Sequence, residues 1–180
     1  MSADMTKTIL GFILVLSAVA GAAVGQPQPS IQGVWRPVER VIPRSTTAGD
    51  RVDPFGHVPV GTQTDLQPGL LILTARHYSR TTDTAVGPRP TAAYATPDKP
   101  TVGELQARWG PFQANAGTYE LSGNTLTLRV LVSKDPAGQR DGTFARLTVA
   151  LDGNTLSLTP VENDAGRIGA GVTTRYVRVE

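Results

Sequence analysis

Two histidines, His57 and His77, are the only imidazole side chains in the chain of 180 residues. An imidazole can act as a base near neutral pH or ligate a metal, but neither residue belongs to an HxH or HExxH arrangement. The chain also has no cysteine, which excludes thiol catalysis, cysteine-based zinc sites and disulfides. We therefore predict no metal and no cofactor. We interpret His57 as a loop residue and His77 as a residue at the start of a strand, where it could orient a ligand in an apolar cavity.

Acid or base chemistry without a metal would need carboxyl and phenol groups that face a common cavity. Candidates are Asp53, Glu120, Tyr78 and Tyr119. The chain contains no Gly-x-Ser-x-Gly elbow, no phosphate-binding loop and no dinucleotide fingerprint. We therefore assign no catalytic residue, and an enzyme of the cyclase or isomerase type remains an alternative function.

The first 25 residues have the pattern of a cleavable secretory signal peptide. Lys7 precedes an apolar run at 9–24, which at 16 residues is shorter than the ~20 needed to span a bilayer. Small residues at the end of the run favour cleavage after Gly25, with cleavage after Ala20 as the rival, and 26–30 form a polar linker. We expect a periplasmic or secreted protein with no stable membrane span after cleavage. An uncleaved anchor is the alternative.

The remaining residues, 31–180, are enough for one domain with a single core. The chain has 17 basic and 15 acidic residues, a net charge of +2. This balance is too weak to indicate a nucleic-acid partner.

Short alternating segments separated by Gly and Asn turns predict an all-β domain. The expected strands are 31–42, 70–74, 77–82, 118–121, 125–132, 144–151, 155–161 and 172–179. Eight strands joined largely by tight hairpins indicate an antiparallel up-and-down barrel, wide enough inside for side chains or one small ligand. Pro37 lies within the first strand and predicts an edge-like, bulged or bent strand there.

One short α-helix is expected between the third and fourth strands. Thr101 and Glu104 fit a capping box, and Gly110-Pro111 should end or kink the helix. An apolar helical face is predicted to lie against the outside of the barrel or over one mouth; it consists of Val102, Leu105, Trp109 and Phe112.

Several segments, in order, resemble the bacterial and fungal lipocalin-like domain family. The first strand opens with Gly33-Val34-Trp35, as in lipocalins and other calycins. The further matching segments are Asp53-Pro54-Phe55-Gly56 with Pro59 and Gly61, His77-Tyr78-Ser79, Gly117-Thr118-Tyr119-Glu120, Gly142-Thr143-Phe144-Ala145-Arg146, 154–160 and 175–179. The resemblance covers about residues 31–179 and implies a calycin-like barrel. It also implies that Trp35 lies under an arginine of the last strand, Arg175 or Arg178, and closes the barrel in a structural role.

The predicted function is binding of a small apolar or amphipathic molecule inside the barrel. A structural or envelope-interaction domain with a filled barrel is the third alternative. The candidate ligand-lining residues are Phe55, Tyr78, Tyr119, Leu128 and Phe144, together with His77.

Overall fold

The computed structural model describes residues 30–43, 60–85, 96 and 99–180. The predicted leader, most of the polar linker, Asp53, Phe55 and His57 lie outside the described residues.

Strands make up most of the described chain. They are β1 (Gly33–Ile42), β2 (Gly61–Gln63), β3 (Gly69–Leu73), β4 (His77–Asp83), β5 (Phe112–Ser122), β6 (Thr125–Ser133), β7 (Phe144–Asp152), β8 (Thr155–Asn163), β9 (Gly166–Arg167) and β10 (Thr173–Arg178). The helix α1 (Val102–Trp109) lies between β4 and β5, and a short 3-10 helix spans Pro136–Gln139. No helix among these residues is long and apolar enough to cross a membrane.

Eight of the strands close into an antiparallel barrel. The neighbours run β1, β3, β4, β5, β6, β7, β8 and β10, and β10 pairs with β1 to complete the circle. Of the two short strands, β2 pairs with β1, and β9 pairs with β8. The predicted all-β, eight-stranded up-and-down barrel with one short helix is therefore confirmed.

The two ends of the barrel differ in how they connect the strands. At one end, here called the hairpin end, short turns join β3 to β4, β5 to β6 and β7 to β8. At the other, the loop end, the connections are 43–68, 84–111, 134–143 and 164–172. Side chains that face the interior near the loop end are therefore positioned by the barrel strands on which they lie.

Apolar side chains fill the interior at the hairpin end, and we call this cluster the apolar floor. Because alternate residues of a strand point to opposite faces, each barrel strand sends every second residue inward. The floor contains Ile31, Trp35, Leu71, Leu73, Tyr78, Leu126, Leu128, Leu147, Leu156, Leu158 and Tyr176.

Three β-bulges interrupt the alternation just beyond the floor. The register shows one extra residue in each of three strands: Val38 in β1, Leu131 in β6 and Val161 in β8. The first follows Pro37 directly, so the predicted irregularity of that strand is confirmed. A bulge changes which residues of a strand point inward. The residues that face inward before the bulge and those that face inward after it therefore do not belong to one series with a spacing of two.

The structure corrects two expectations for the region around α1. The strand predicted at 118–121 begins at Phe112, so Phe112 belongs to β5 and not to the helical face. The helix has its predicted capping box, but none of its residues is buried; Val102 is 70% and Trp109 is 49% exposed. At the loop end the Lys134 ammonium donates to the Trp109 carbonyl, and the Trp109 and Phe112 rings meet edge to face at 6.1 Å.

Candidate functional site

The hairpin end of the interior is closed by Trp35 and Arg178. The Trp35 ring is completely buried, and its Nε1 donates to the Ile31 carbonyl at 2.8 Å. The Arg178 guanidinium lies 4.1 Å from the centre of that ring and donates to the Gln32 and Ser30 carbonyls. A cation over an indole face is attracted by the ring quadrupole. The polar groups of Trp35 and Arg178 thus have partners within the described residues.

Arg175, the other arginine considered for this role, lies on the opposite face of β10. It pairs with Glu39 on the outside of the barrel. Because Tyr176 is buried in the floor, strand alternation places Arg178 inside and Arg175 outside.

The interior changes from apolar to polar between the floor and the loop end. The cross-strand pairs Arg80 with Asn115, Thr82 with Gln113, Asn115 with Ser133 and Arg40 with Thr174 place these side chains on the inward face. We call this set the polar tier; its members are Arg40, Arg80, Thr82, Gln113, Asn115, Ser133 and Thr174. The barrel interior is therefore amphipathic along its axis.

Arg40 reaches the interior because of the bulge at Val38. Before the bulge, Trp35 and Pro37 point inward; after it, Glu39 pairs with outward-facing Arg175 and Arg40 pairs with Thr174. The Arg40 guanidinium donates to Thr82 Oγ1 at 3.0 Å, which links β1 to β4 across β3. Gly69 of β3 lies between them, and a Cβ there would stand 3.1 Å from Thr82 Oγ1 and 3.2 Å from the Pro37 ring. The glycine thus keeps open the space in which this contact forms.

Two polar atoms of the interior have no hydrogen-bond partner among the described residues. They are the hydroxyl of Tyr78, a side chain only 3% exposed, and Nε of Arg80. Both residues lie on the inward face of β4, two positions apart, so their side chains are neighbours along the strand. Buried polar groups in folded proteins are nearly always paired, which makes these two atoms the exceptional feature of the interior.

The charges around these atoms act on one another. Burial lowers the pKa of Arg40, and the nearby positive charge of Arg80 lowers it further, whereas Tyr176 and Asp83 oppose the shift. Burial raises the pKa of the Tyr78 hydroxyl, and Arg80 acts in the opposite direction. Tyr78 therefore stays protonated at neutral pH and can donate a hydrogen bond. The carboxylate of Asp83, at the end of β4, accepts from the Ala85 amide at 2.9 Å.

Three of the predicted lining residues face the interior. Tyr78 and Leu128 are buried in the floor, and Tyr119 packs against it. The Tyr119 hydroxyl donates to the Thr74 carbonyl at 2.5 Å, at the hairpin end. Burial raises the pKa of Tyr119 as well. Unlike Tyr78, it already has a protein partner.

Two of the predicted lining residues face outward, which corrects the prediction. His77 is exposed and alternates with inward-facing Tyr78. Phe144 alternates with Ala145, which packs against the floor, and its ring lies 5.1 Å from the Arg146 guanidinium on the outer face. Glu120 is also exposed. The acid or base pair that an enzyme would need from His77 and Glu120 is therefore not formed inside the barrel.

The described residues contain no group of three or more His, Cys, Asp or Glu side chains that could hold a metal ion. The chain matches no protein-family model, no curated protein and no solved structure.

Sequence reasoning missed the polar tier for identifiable reasons. Arg80 and Thr82 follow Tyr78 at intervals of two, so extending the alternation from Tyr78 would have found them. Arg40 could not be found in this way, because the bulge at Val38 shifts the inward face. Gln113 and Asn115 lie in the part of β5 that was not predicted as strand.

Proposed function

We propose that this domain binds a small amphipathic molecule in its barrel, with the apolar part of the ligand toward the floor and the polar part in the polar tier. The observation that carries the proposal is the pair of buried, unpartnered atoms, Tyr78 Oη and Arg80 Nε. A buried polar group without a partner costs about 1–3 kcal/mol. A ligand that supplied the partner would recover that cost.

The amphipathic interior supports the same proposal. An eight-stranded barrel is just wide enough to enclose one small ligand. Each Å² of apolar ligand surface removed from water contributes about 25 cal/mol. A few polar groups at one end would then fix the ligand's orientation.

We further propose that the protein is exported from the cytoplasm and that its barrel is related to the lipocalin-like domains. The leader pattern at residues 1–25 supports an exported carrier, and the ordered motifs from Gly33-Val34-Trp35 onward support a lipocalin-like domain. Such a carrier would move an apolar molecule through water outside the cytoplasm.

Ligand retention provides the test. The full chain is produced in bacteria, recovered from the periplasm or the medium, and analysed by native mass spectrometry and by mass spectrometry of an organic extract. We expect a truncated N-terminus after residue 20 or 25 and a bound small molecule. The protein stripped of that molecule should bind the neutral fluorescent probe N-phenyl-1-naphthylamine.

Two alanines of β7 give a matched pair of variants for this test. Ala145 faces the interior beside the floor, whereas Ala150 is exposed on the outer face of the same strand. Ala145→Leu should fill space above the floor and weaken probe binding at least ten-fold, whereas Ala150→Leu should leave it unchanged. The proposal fails if wild-type protein neither retains a small molecule nor binds the probe, or if both variants bind the probe like wild type.

A further inference from the structure

The proposed ligand must present some chemical group to the polar tier, and the charges of this tier identify that group. This step rests on the proposed function. We propose that the ligand is a carboxylic acid whose carboxylate is bound by Arg80, with the Tyr78 hydroxyl as a further donor and Arg40 as a second positive charge.

Arg80 carries a positive charge that has no ion-pair partner among the described residues. Its side chain is half-buried and faces the interior between Leu71 and Asn115, and neither of these carries a charge. No ion pair of Arg80 is formed within the described residues, where Glu39 pairs with Arg175 and Glu162 pairs with Arg146. A buried charge is costly unless it is paired. The site therefore favours an anion from outside the described chain.

Positively charged groups outnumber negatively charged groups near the polar tier, among the residues that the structure describes. Arg80 lies close enough to lower the pKa of Arg40, and among the described residues Asp83 is the carboxylate that opposes this effect. The Asp83 carboxylate also accepts from the Ala85 amide. Within the described residues, two guanidinium groups and one carboxylate leave a net charge of +1, which a single carboxylate of a ligand would neutralise.

The positions of the hydrogen-bond donors on β4 also favour a carboxylate. Arg80 Nε and the Tyr78 hydroxyl are both buried, both unpartnered, and both on the inward face of β4. A guanidinium presents parallel N–H groups that match the two oxygens of a carboxylate, and a phenol can donate to one of those oxygens. An alcohol has one acceptor oxygen and no charge, so it would satisfy this donor set poorly. An ammonium group would be repelled by both arginines.

The positions of Arg80 and of the apolar floor also define how the ligand would be oriented in the barrel. The carboxylate would lie beside Arg80 toward the loop end, and the hydrocarbon part would point to the apolar floor, where Leu128 is buried and the small side chain of Ala145 packs against the cluster. The ligand class is therefore a small acid with an apolar tail.

Displacement of the neutral probe by decanoate and by 1-decanol at pH 7 tests the head group, because the two molecules share a ten-carbon tail. In the wild type we expect decanoate to bind at least ten-fold more tightly than decanol. In Arg80→Gln this preference should disappear, while decanol binding changes less than two-fold. In Tyr78→Phe decanoate binding should weaken three- to ten-fold. Arg129→Gln is the control, because Arg129 is an exposed arginine of the same barrel, and it should retain the wild-type preference.

The outcomes separate the two proposals. If the probe and decanol bind but decanoate has no advantage, the carboxylate is excluded and the carrier function stands. If decyl phosphate binds ten-fold more tightly than decanoate, the head group is a phosphate and the carboxylate assignment is wrong. If neither the probe nor either ten-carbon ligand binds, the carrier function fails and the head-group assignment fails with it. If circular dichroism shows that Arg80→Gln is unfolded, Arg80→Lys and Tyr78→Phe replace it; an unchanged decanoate preference in both would overturn the proposal.

Discussion

Gly33, the glycine of the Gly-x-Trp pattern, lies where Arg178 of the last strand packs against Trp35 of the first. Its φ of +141° lies in a region that side chains rarely adopt, and a Cβ there would collide with the Arg178 guanidinium and the Glu180 carbonyl. Glycine is therefore required where the arginine of the last strand crosses to reach Trp35. In this chain the glycine and the tryptophan of the motif both take part in the contact with Arg178.

Two tyrosines that face the same interior should respond in opposite ways to loss of their hydroxyl. In ligand-free protein Tyr78→Phe removes a buried donor that has no partner, so we expect the free energy of unfolding to rise by about 1 kcal/mol. Tyr119→Phe removes the hydrogen bond to the Thr74 carbonyl and should lower it by about 1 kcal/mol.

Urea denaturation at pH 7, followed by circular dichroism, measures both changes. Each variant thereby acts as the control for the other, since both lose one phenolic oxygen from an inward-facing position. A Tyr78→Phe variant as destabilised as Tyr119→Phe would show that the Tyr78 hydroxyl has a partner within the protein.

At the scale of elements, the three bulges mark the boundary between the apolar floor and the polar tier. In β1 and β6 the residues after the bulge that face inward are Arg40 and Ser133. Bulges are frequent at the rims of barrels, where they redirect side chains. Here the bulge in β1 brings Arg40 inward in place of Glu39, and the bulge in β6 brings Ser133 inward in place of Val132.

The hairpins were predictable from the sequence, and the polar tier was not. Gly123-Asn124 and Gly153-Asn154 lie in the turns after β5 and β7, and their flanking strands alternate clearly, so β6, β7 and β8 are found near their predicted bounds. The first half of β5 was missed because Gln113, Ala114 and Asn115 carry no apolar alternation. The interior positions of Tyr78 and Leu128 were predicted from residue type, whereas Arg40 depends on a bulge that only the register reveals.

The helix α1 should unfold locally without affecting the barrel. Its capping box joins Thr101 and Glu104 through reciprocal side-chain to backbone bonds, and none of its residues is buried. Thr101→Ala should destabilise the helix by about 1 kcal/mol. Hydrogen exchange of the 102–109 amides should therefore accelerate several-fold, with no change in the melting temperature of the barrel. Thr148→Ala, at an exposed position of β7, is the control. A parallel loss of barrel stability in Thr101→Ala would show that the helix packs more firmly than its exposure indicates.

At the scale of the whole molecule, β10 is the strand that closes the barrel. It pairs with β1 on one side and β8 on the other, it contributes Tyr176 to the floor, and its Arg178 lies over the Trp35 ring. A chain ending at Val172 should therefore lose cooperative folding, because two unpaired edges and an opened core would result. Circular dichroism melting would show a broad transition in place of a sharp one.

A synthetic peptide of residues 172–180 provides the control for this truncation. Added in excess, it should pair with both open edges and restore the cooperative transition. A truncated chain that melts as sharply as the full chain without the peptide would contradict the assignment of β10 as the closing strand.

The closing contact also sets the order in which the molecule can fold. The hydrogen bond from Arg178 to the Gln32 carbonyl joins residues 146 positions apart, so the first strand has no permanent neighbour on one side until the last strand is made. At a synthesis rate of ~5–20 residues per second, that interval lasts roughly 7–30 s. The barrel can therefore close only after the last strand has been synthesised.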